Sequence, residues 1–181
     1  MYLEGETMDR EEMEKYISAK AHVSDVDAAN VLETLVGGIN NKMIFKGFKI
    51  RVRCVDWEQV NTIGNFWQSI QDFVSYEDVV GLGMNWSDDY LYFDYAIGVI
   101  DNDVILEKLK NVPFSQFGFD VNYFEIELPN ANEWISFKGK DEDVQEIYEN
   151  SVDCYNKEYD YELEYLDGKG NIEIKIHFIN N

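Results

Sequence analysis

The stretch Tyr159-Asp160-Tyr161-Glu162-Leu163-Glu164-Tyr165 decides how the rest of the chain is read. With a period of two, Tyr159, Tyr161, Leu163 and Tyr165 fall on one side of a strand, and Asp160, Glu162 and Glu164 on the other. An exposed strand carries carboxylates on its wet face as a matter of course. A strand lining an aromatic pocket uses a carboxylate as the charge that selects a cation. The surroundings of the strand separate the two cases.

Working outward, Asp167-Gly168-Lys169-Gly170 is a hairpin turn and Ile172 to Ile179 a final strand. Before the stretch, Asp141 to Asn156 has helical spacing, with Val144, Ile147, Tyr148, Val152 and Tyr155 inward. Asn122 to Leu128 alternates, Pro129-Asn130 interrupts, and Trp134 to Lys138 resumes as strand. Residues 121–179 thus read β-α-β-β.

The same order occurs earlier, over residues 46–101. Phe48, Ile50, Val52 and Cys54 share one face of a strand and Lys49, Arg51 and Arg53 the other. These bases are expected to pair with acids on a neighbouring strand or to cover a helix with their alkyl stems. Gln59 to Val74 reads as a helix with Ile63, Phe66, Trp67 and Ile70 on one side. Val79 to Trp86 is a glycine-punctuated strand, Ser87-Asp88-Asp89 a turn, and Tyr90 to Ile100 a strand. Between the halves lie a short helix, Asp103 to Lys110, and a loop, Pro113 to Asp120. Two such halves predict an α+β fold. A tandem β-α-β-β repeat forms an antiparallel sheet with helices on one face and a concave site at the seam.

Residues 8–44 read as two helices. Asp9 and Glu12 form a capping box for the first. The second starts at Ser24 and Asp27, with Val26, Ala29, Leu32, Leu35 and Ile39 at helical spacing. The expected division is a helical extension over 1–45 and a second domain over 46–181.

Composition narrows the function classes. The chain has 181 residues, 15% of them aromatic, with 12 Tyr, 11 Phe and 4 Trp. That aromatic content suits an aromatic-lined surface or cavity as well as ordinary strand packing. A net charge of −21 repels phosphate backbones, so direct nucleic-acid binding is not expected, whereas cations and basic partners are attracted. No apolar run is long enough to span a membrane. The acidic segment Met1 to Arg10 lacks the apolar core of a signal peptide, which predicts a cytoplasmic protein with Cys54 and Cys154 reduced. His22 and His177 stand far apart and no metal-ligand spacing occurs, so neither a metal nor a cofactor is expected. Gly81-Leu82-Gly83 lacks the helix start of a phosphate cradle and reads as a strand feature.

In order and spacing, several segments resemble the GyrI-like small-molecule-binding domains. Ile63-Gly64-Asn65-Phe66-Trp67 is similar to that family's Trp-bearing helix, and Tyr95-Ala96-Ile97-Gly98-Val99 to its Tyr-x-x-Gly-Val strand. Val144 to Tyr155, followed by Tyr161-Glu162, resembles its closing helix and aromatic-Glu strand, and Ile172 to Phe178 its last strand. The resemblance covers about residues 46–179. It implies a ligand cleft between the halves and a role as the effector-binding part of multidrug-responsive transcription regulators, or as a stand-alone relative. Carried over by position, the cleft acid is Glu162. The family often has an aromatic residue two positions later, where this chain has Glu164, and a slip of the alignment makes Glu164 the pocket acid instead. The family's DNA-binding members carry a helix-turn-helix domain before this module. The helices of residues 8–44 are too short for one and read as a packing or dimerisation extension.

The ligand-binding residues expected from these readings are Glu162, Glu164, Tyr95, Trp134, Phe137, Trp67 and Tyr148, around a small lipophilic organic cation. No catalytic residue is expected. Two other function classes remain open at this point. An acidic surface can occupy a basic groove on a partner protein as a nucleic-acid mimic. A cleft holding Glu and Tyr can also activate water, and some relatives in the family are hydrolases.

Overall fold

A computed structural model of the chain describes residues 43–155 and 158–179, with the side chains of 150 and 152–155 set aside. The helical reading of residues 8–42 and the inward placement of Val152 and Tyr155 therefore lie outside the described residues. Seven strands form one antiparallel sheet in the order β4-β1-β3-β2-β6-β7-β5. They are β1 (Met43–Arg53), β2 (Val80–Met84), β3 (Tyr92–Ile100), β4 (Asn122–Leu128), β5 (Trp134–Lys140), β6 (Tyr159–Leu166) and β7 (Asn171–Phe178). Among the described residues three helices accompany them: α1 (Glu58–Gln68) after β1, α2 (Asp103–Leu109) after β3, and α3 (Val144–Tyr155) after β5. No helix among the described residues is long and apolar enough to cross a membrane.

The strand order expresses the repeat. In the first half β1, β3 and β2 lie side by side. In the second, β6, β7 and β5 repeat that arrangement in reverse, so the strands that follow the helix of each repeat, β2 and β6, meet at the centre. Sequence and structure differ over Asn122–Leu128. The structure detaches this strand from the second half and pairs it with β1 at the far edge, from Met43↔Leu128 to Lys49↔Asn122. Only β5 opens the second repeat. A capping box between Asn130 and Glu133 turns the chain between the two.

Strand β1 also begins five residues before Phe48. Gly47, which interrupts the alternation in the sequence, lies opposite Gly98 of β3. The Phe45 ring fills the space over both glycines, and a Cβ at either would collide with backbone across the pair. Helix α1 is shorter than its apolar spacing suggests. It ends at Gln68, and turns carry the chain on through Val74.

Burial follows the two-residue period of the strands. On the helix-covered face Ile50, Val52, Phe93, Ile97 and Val99 pack with Phe66 and Ile70, and with Leu106 and Leu109 of α2. Ile172, Ile174, Ile176 and Phe178 of β7 form the part beneath α3 with Val144 and Ile147. The opposite face is apolar as well, built on Phe45, Val80, Leu82, Met84, Ala96, Leu128 and Leu163. Lys49 and Arg51 share Asp94, each at 2.9 Å, and Arg53 approaches Glu58 at 3.6 Å. The bases of β1 are thus held away from Glu162 and Glu164.

Candidate functional site

The alternation of β6 places Glu162 and Glu164 on the helix-covered face and Tyr161, Leu163 and Tyr165 on the other. A register shift between Tyr159 and Tyr161 breaks the strict period at the start of the strand. It exchanges the faces expected for the first two residues. Tyr159 joins the glutamates in the cavity wall, and Asp160 reaches His177 Nδ1 at 2.6 Å.

Across the seam Gly81 stands opposite Glu164 and Gly83 opposite Glu162. A Cβ on Gly83 would collide with the Glu162 carboxyl, and one on Gly81 with the Tyr95 hydroxyl. The Gly-x-Gly of β2 and the Glu-x-Glu of β6 are therefore one device. The absence of two side chains makes room for the Glu162 carboxyl at Gly83 and, at Gly81, for the Tyr95 hydroxyl that binds Glu164.

Those carboxyl groups are buried, Glu162 4% and Glu164 6% exposed. Glu164 is fully engaged. Tyr148 donates to its Oε1 at 2.7 Å, and Tyr95 donates to its Oε2 through a short hydrogen bond. Trp67 Nε1 donates in turn to the Tyr95 hydroxyl at 2.8 Å. This chain of donors runs from α1 and α3 onto a single carboxylate and aims all three side chains. Glu162 differs, because its Oε2 is buried with no hydrogen-bond partner.

The electrostatics follow from this geometry. Burial pushes Glu162 well above the usual carboxylate range, and the neighbouring Glu164 charge adds to the push. Burial also raises Glu164, but the hydroxyls of Tyr95 and Tyr148 oppose the rise. Glu164 is thus the carboxyl better prepared to hold charge. Burial and the glutamate charges raise both phenols well above their ordinary value, which keeps them protonated as donors.

A cavity of about 590 Å³ opens over the glutamates between α1 and α3. That volume is in the range of small-molecule sites. Its walls are largely aromatic. Trp86 stacks on Phe93 at 4.2 Å and meets the edge of Tyr159 at 5.7 Å, while Trp67 and Tyr76 are edge to face at 5.3 Å. Trp57 and Tyr90 stand at the rim, 40% and 62% exposed. Both have positive φ, of 62° and 55°, an uncommon conformation for bulky side chains that cluster at ligand sites when retained. The lining contains four carboxylates, from Asp141, Glu149, Glu162 and Glu164, and no Lys, Arg or His among the described residues.

Of the residues expected from sequence, the structure brings Glu162, Glu164, Trp67 and Tyr148 to the cavity, with Tyr95 directly beneath. Trp134 is elsewhere. It packs on the opposite face beside Tyr161 and His177, and its Nε1 donates to the Pro129 carbonyl. The reason is its register: it pairs with His177, whose side chain points away from the helices, as Ile176 and Phe178 point toward them. Phe137 packs beneath α3 in the cluster of Ile174 and Ile147 and does not line the cavity. Trp57, Tyr76, Trp86, Tyr90 and Tyr159, which also line the cavity, are not among the residues expected from sequence. Among the described residues no cluster of metal-ligating side chains occurs.

No family model matches the chain, and no curated protein matches it. Among solved structures it is similar to SAV2435, described bound to tetraphenylphosphonium. That likeness has 15% identity and a TM-score of 0.45, and it covers 77% of this chain and 90% of the other. It is also similar to an integron cassette protein from the mobile metagenome of Vibrio cholerae, at 17% identity and a TM-score of 0.47, over 77% of this chain and 97% of that one. Likenesses this distant carry no information about the ligand of this chain.

Proposed function

We propose that the cavity at the β2–β6 seam binds a small lipophilic organic cation, with Glu162 and Glu164 as counter-charges and the aromatic walls as its apolar bed. The supporting observation is the lining itself: two buried carboxyl groups in an aromatic cavity that no basic side chain among the described residues enters. An unpaired buried carboxylate is costly, and a cation is the partner that relieves it. Aromatic faces stabilise the same charge by about 0.5–2 kcal/mol each. The reading extends to a role as an effector-binding module in transcription regulation, which rests on the sequence resemblance to GyrI-like domains.

The test is a titration with 10-methylacridinium, a flat permanent cation, and anthracene-9-carboxylate, an anion on a ring of the same size. The account expects saturable one-to-one binding of the cation and none of the anion. Equal binding of the two overturns it. Burial of the site also predicts little dependence on ionic strength, whereas an acidic face docking on a basic protein weakens steeply with salt.

A further inference from the structure

Three buried side-chain polar atoms among the described residues have no hydrogen-bond partner: Gln59 Oε1, Trp86 Nε1 and Glu162 Oε2. All three belong to residues that line the same cavity. An unsatisfied buried donor or acceptor costs about 1–3 kcal/mol, and native structures keep few of them. Their collection in one cavity points to a partner that enters from outside. With Glu162 ionised, two of the atoms are acceptors, one of them on a carboxyl group that is 4% exposed, and the third is a donor. The Trp86 ring is held by its stack on Phe93, which fixes where its N–H points.

We propose that the cavity selects organic cations whose charged group carries N–H donors, with a hydrogen-bond acceptor on the same body, over permanent cations that have no N–H. The class comprises protonated aromatic amines and amidines bearing a carbonyl or ether oxygen. Glu162 Oε2 and Gln59 Oε1 receive the N–H groups, and Trp86 Nε1 donates to the acceptor. This rests on the reading of the cavity as a cation site and specifies its ligand. A quaternary or phosphonium cation satisfies the charge and the aromatic walls but leaves all three polar atoms as they are.

The experiment uses the full chain at about pH 8 and three ring cations: 10-methylacridinium, 9-aminoacridine and a carboxamide derivative of 9-aminoacridine. Hydrogen bonds to charged groups predict that 9-aminoacridine binds about tenfold more tightly than 10-methylacridinium. Glu162→Leu shrinks that preference, and Trp86→Phe, which keeps the stack and removes the donor, abolishes the advantage of the carboxamide over its parent. The wild-type comparison decides even where a variant fails to fold. Equal affinity for 10-methylacridinium and 9-aminoacridine means that water satisfies the three atoms; it overturns this proposal and leaves the cation site standing. Binding of none of the three probes overturns both.

Discussion

Gly83 stands opposite Glu162 across the β2–β6 seam, and the glutamate's carboxyl occupies the space that a side chain at position 83 would need. The relationship predicts a variant that harms the site and spares the fold. In Gly83→Ala the atoms in the way belong to a side chain bordering the cavity, so the Glu162 carboxyl is pushed aside and the backbone stays. Stability measured by denaturant unfolding changes by about 1 kcal/mol or less, while cation affinity falls about tenfold. Gly98→Ala supplies the contrast. Its Cβ meets the Lys46 carbonyl and the Phe45 ring, and it costs about 1–3 kcal/mol or more of stability. Equal stability losses in the two variants would show that Glu162 is packed as rigidly as the backbone.

The donor chain Trp67–Tyr95–Glu164 predicts a paired loss. Tyr95→Phe strips a donor from Glu164 and leaves the Trp67 indole N–H buried without its acceptor, so stability falls by about 1–3 kcal/mol. With one donor gone, Glu164 holds its charge less well and cation affinity falls too. Calorimetric melting and a cation titration on the same variant check both. A loss in melting temperature with unchanged affinity would assign the chain to folding alone.

The raised carboxyls predict a pH dependence whose sign is fixed. Glu162 binds its proton more tightly in the folded chain than in the unfolded one, so the folded state keeps protons that the unfolded state has lost. Relative stability is full below the ordinary carboxylate range and declines as pH rises through the elevated folded value. Glu162→Gln removes that decline. Its melting temperature therefore exceeds that of the wild type at about pH 8 and approaches it at about pH 4. A difference that does not vary with pH would contradict the shift. Cation binding in turn favours ionised Glu162, so affinity rises with pH over the same window.

Rim and far face are predicted to separate cleanly. Trp57 is half exposed at the cavity mouth, so Trp57→Ala lowers cation affinity severalfold with a stability change of about 0.5 kcal/mol or less. Trp134 lies on the opposite face, and Trp134→Phe leaves cation affinity as it is. Intrinsic fluorescence quenching by 10-methylacridinium reads both. An affinity loss in Trp134→Phe would show that the two faces are coupled.

Much of this was legible in the sequence because alternation and helical spacing are local signals. The β-α-β-β order, the hairpin at Gly168 and the shared face of Glu162 and Glu164 all follow from them. Pairing partners do not. Asn122–Leu128 looks the same whether it joins β1 or opens the second repeat, because alternation names a face and not a neighbouring strand. A bulge adds one residue without a composition signal, so Tyr159 and Asp160 exchanged faces. The sequence neighbours of Trp134 point to the cleft, whereas its register with His177 decides its side. A Gly-x-Gly strand and a Glu-x-Glu strand share the same period, and together they describe a seam with room for the Glu162 carboxyl and for the Tyr95 hydroxyl that binds Glu164.

The most direct test of the cation site is isothermal calorimetry of 10-methylacridinium into the wild type and into Glu162→Gln/Glu164→Gln at about pH 8. The double variant keeps the shape of the cavity and removes both charges. The account predicts tight binding to the wild type and a loss of about a hundredfold or more in the variant. Equal affinity in the two proteins would contradict it.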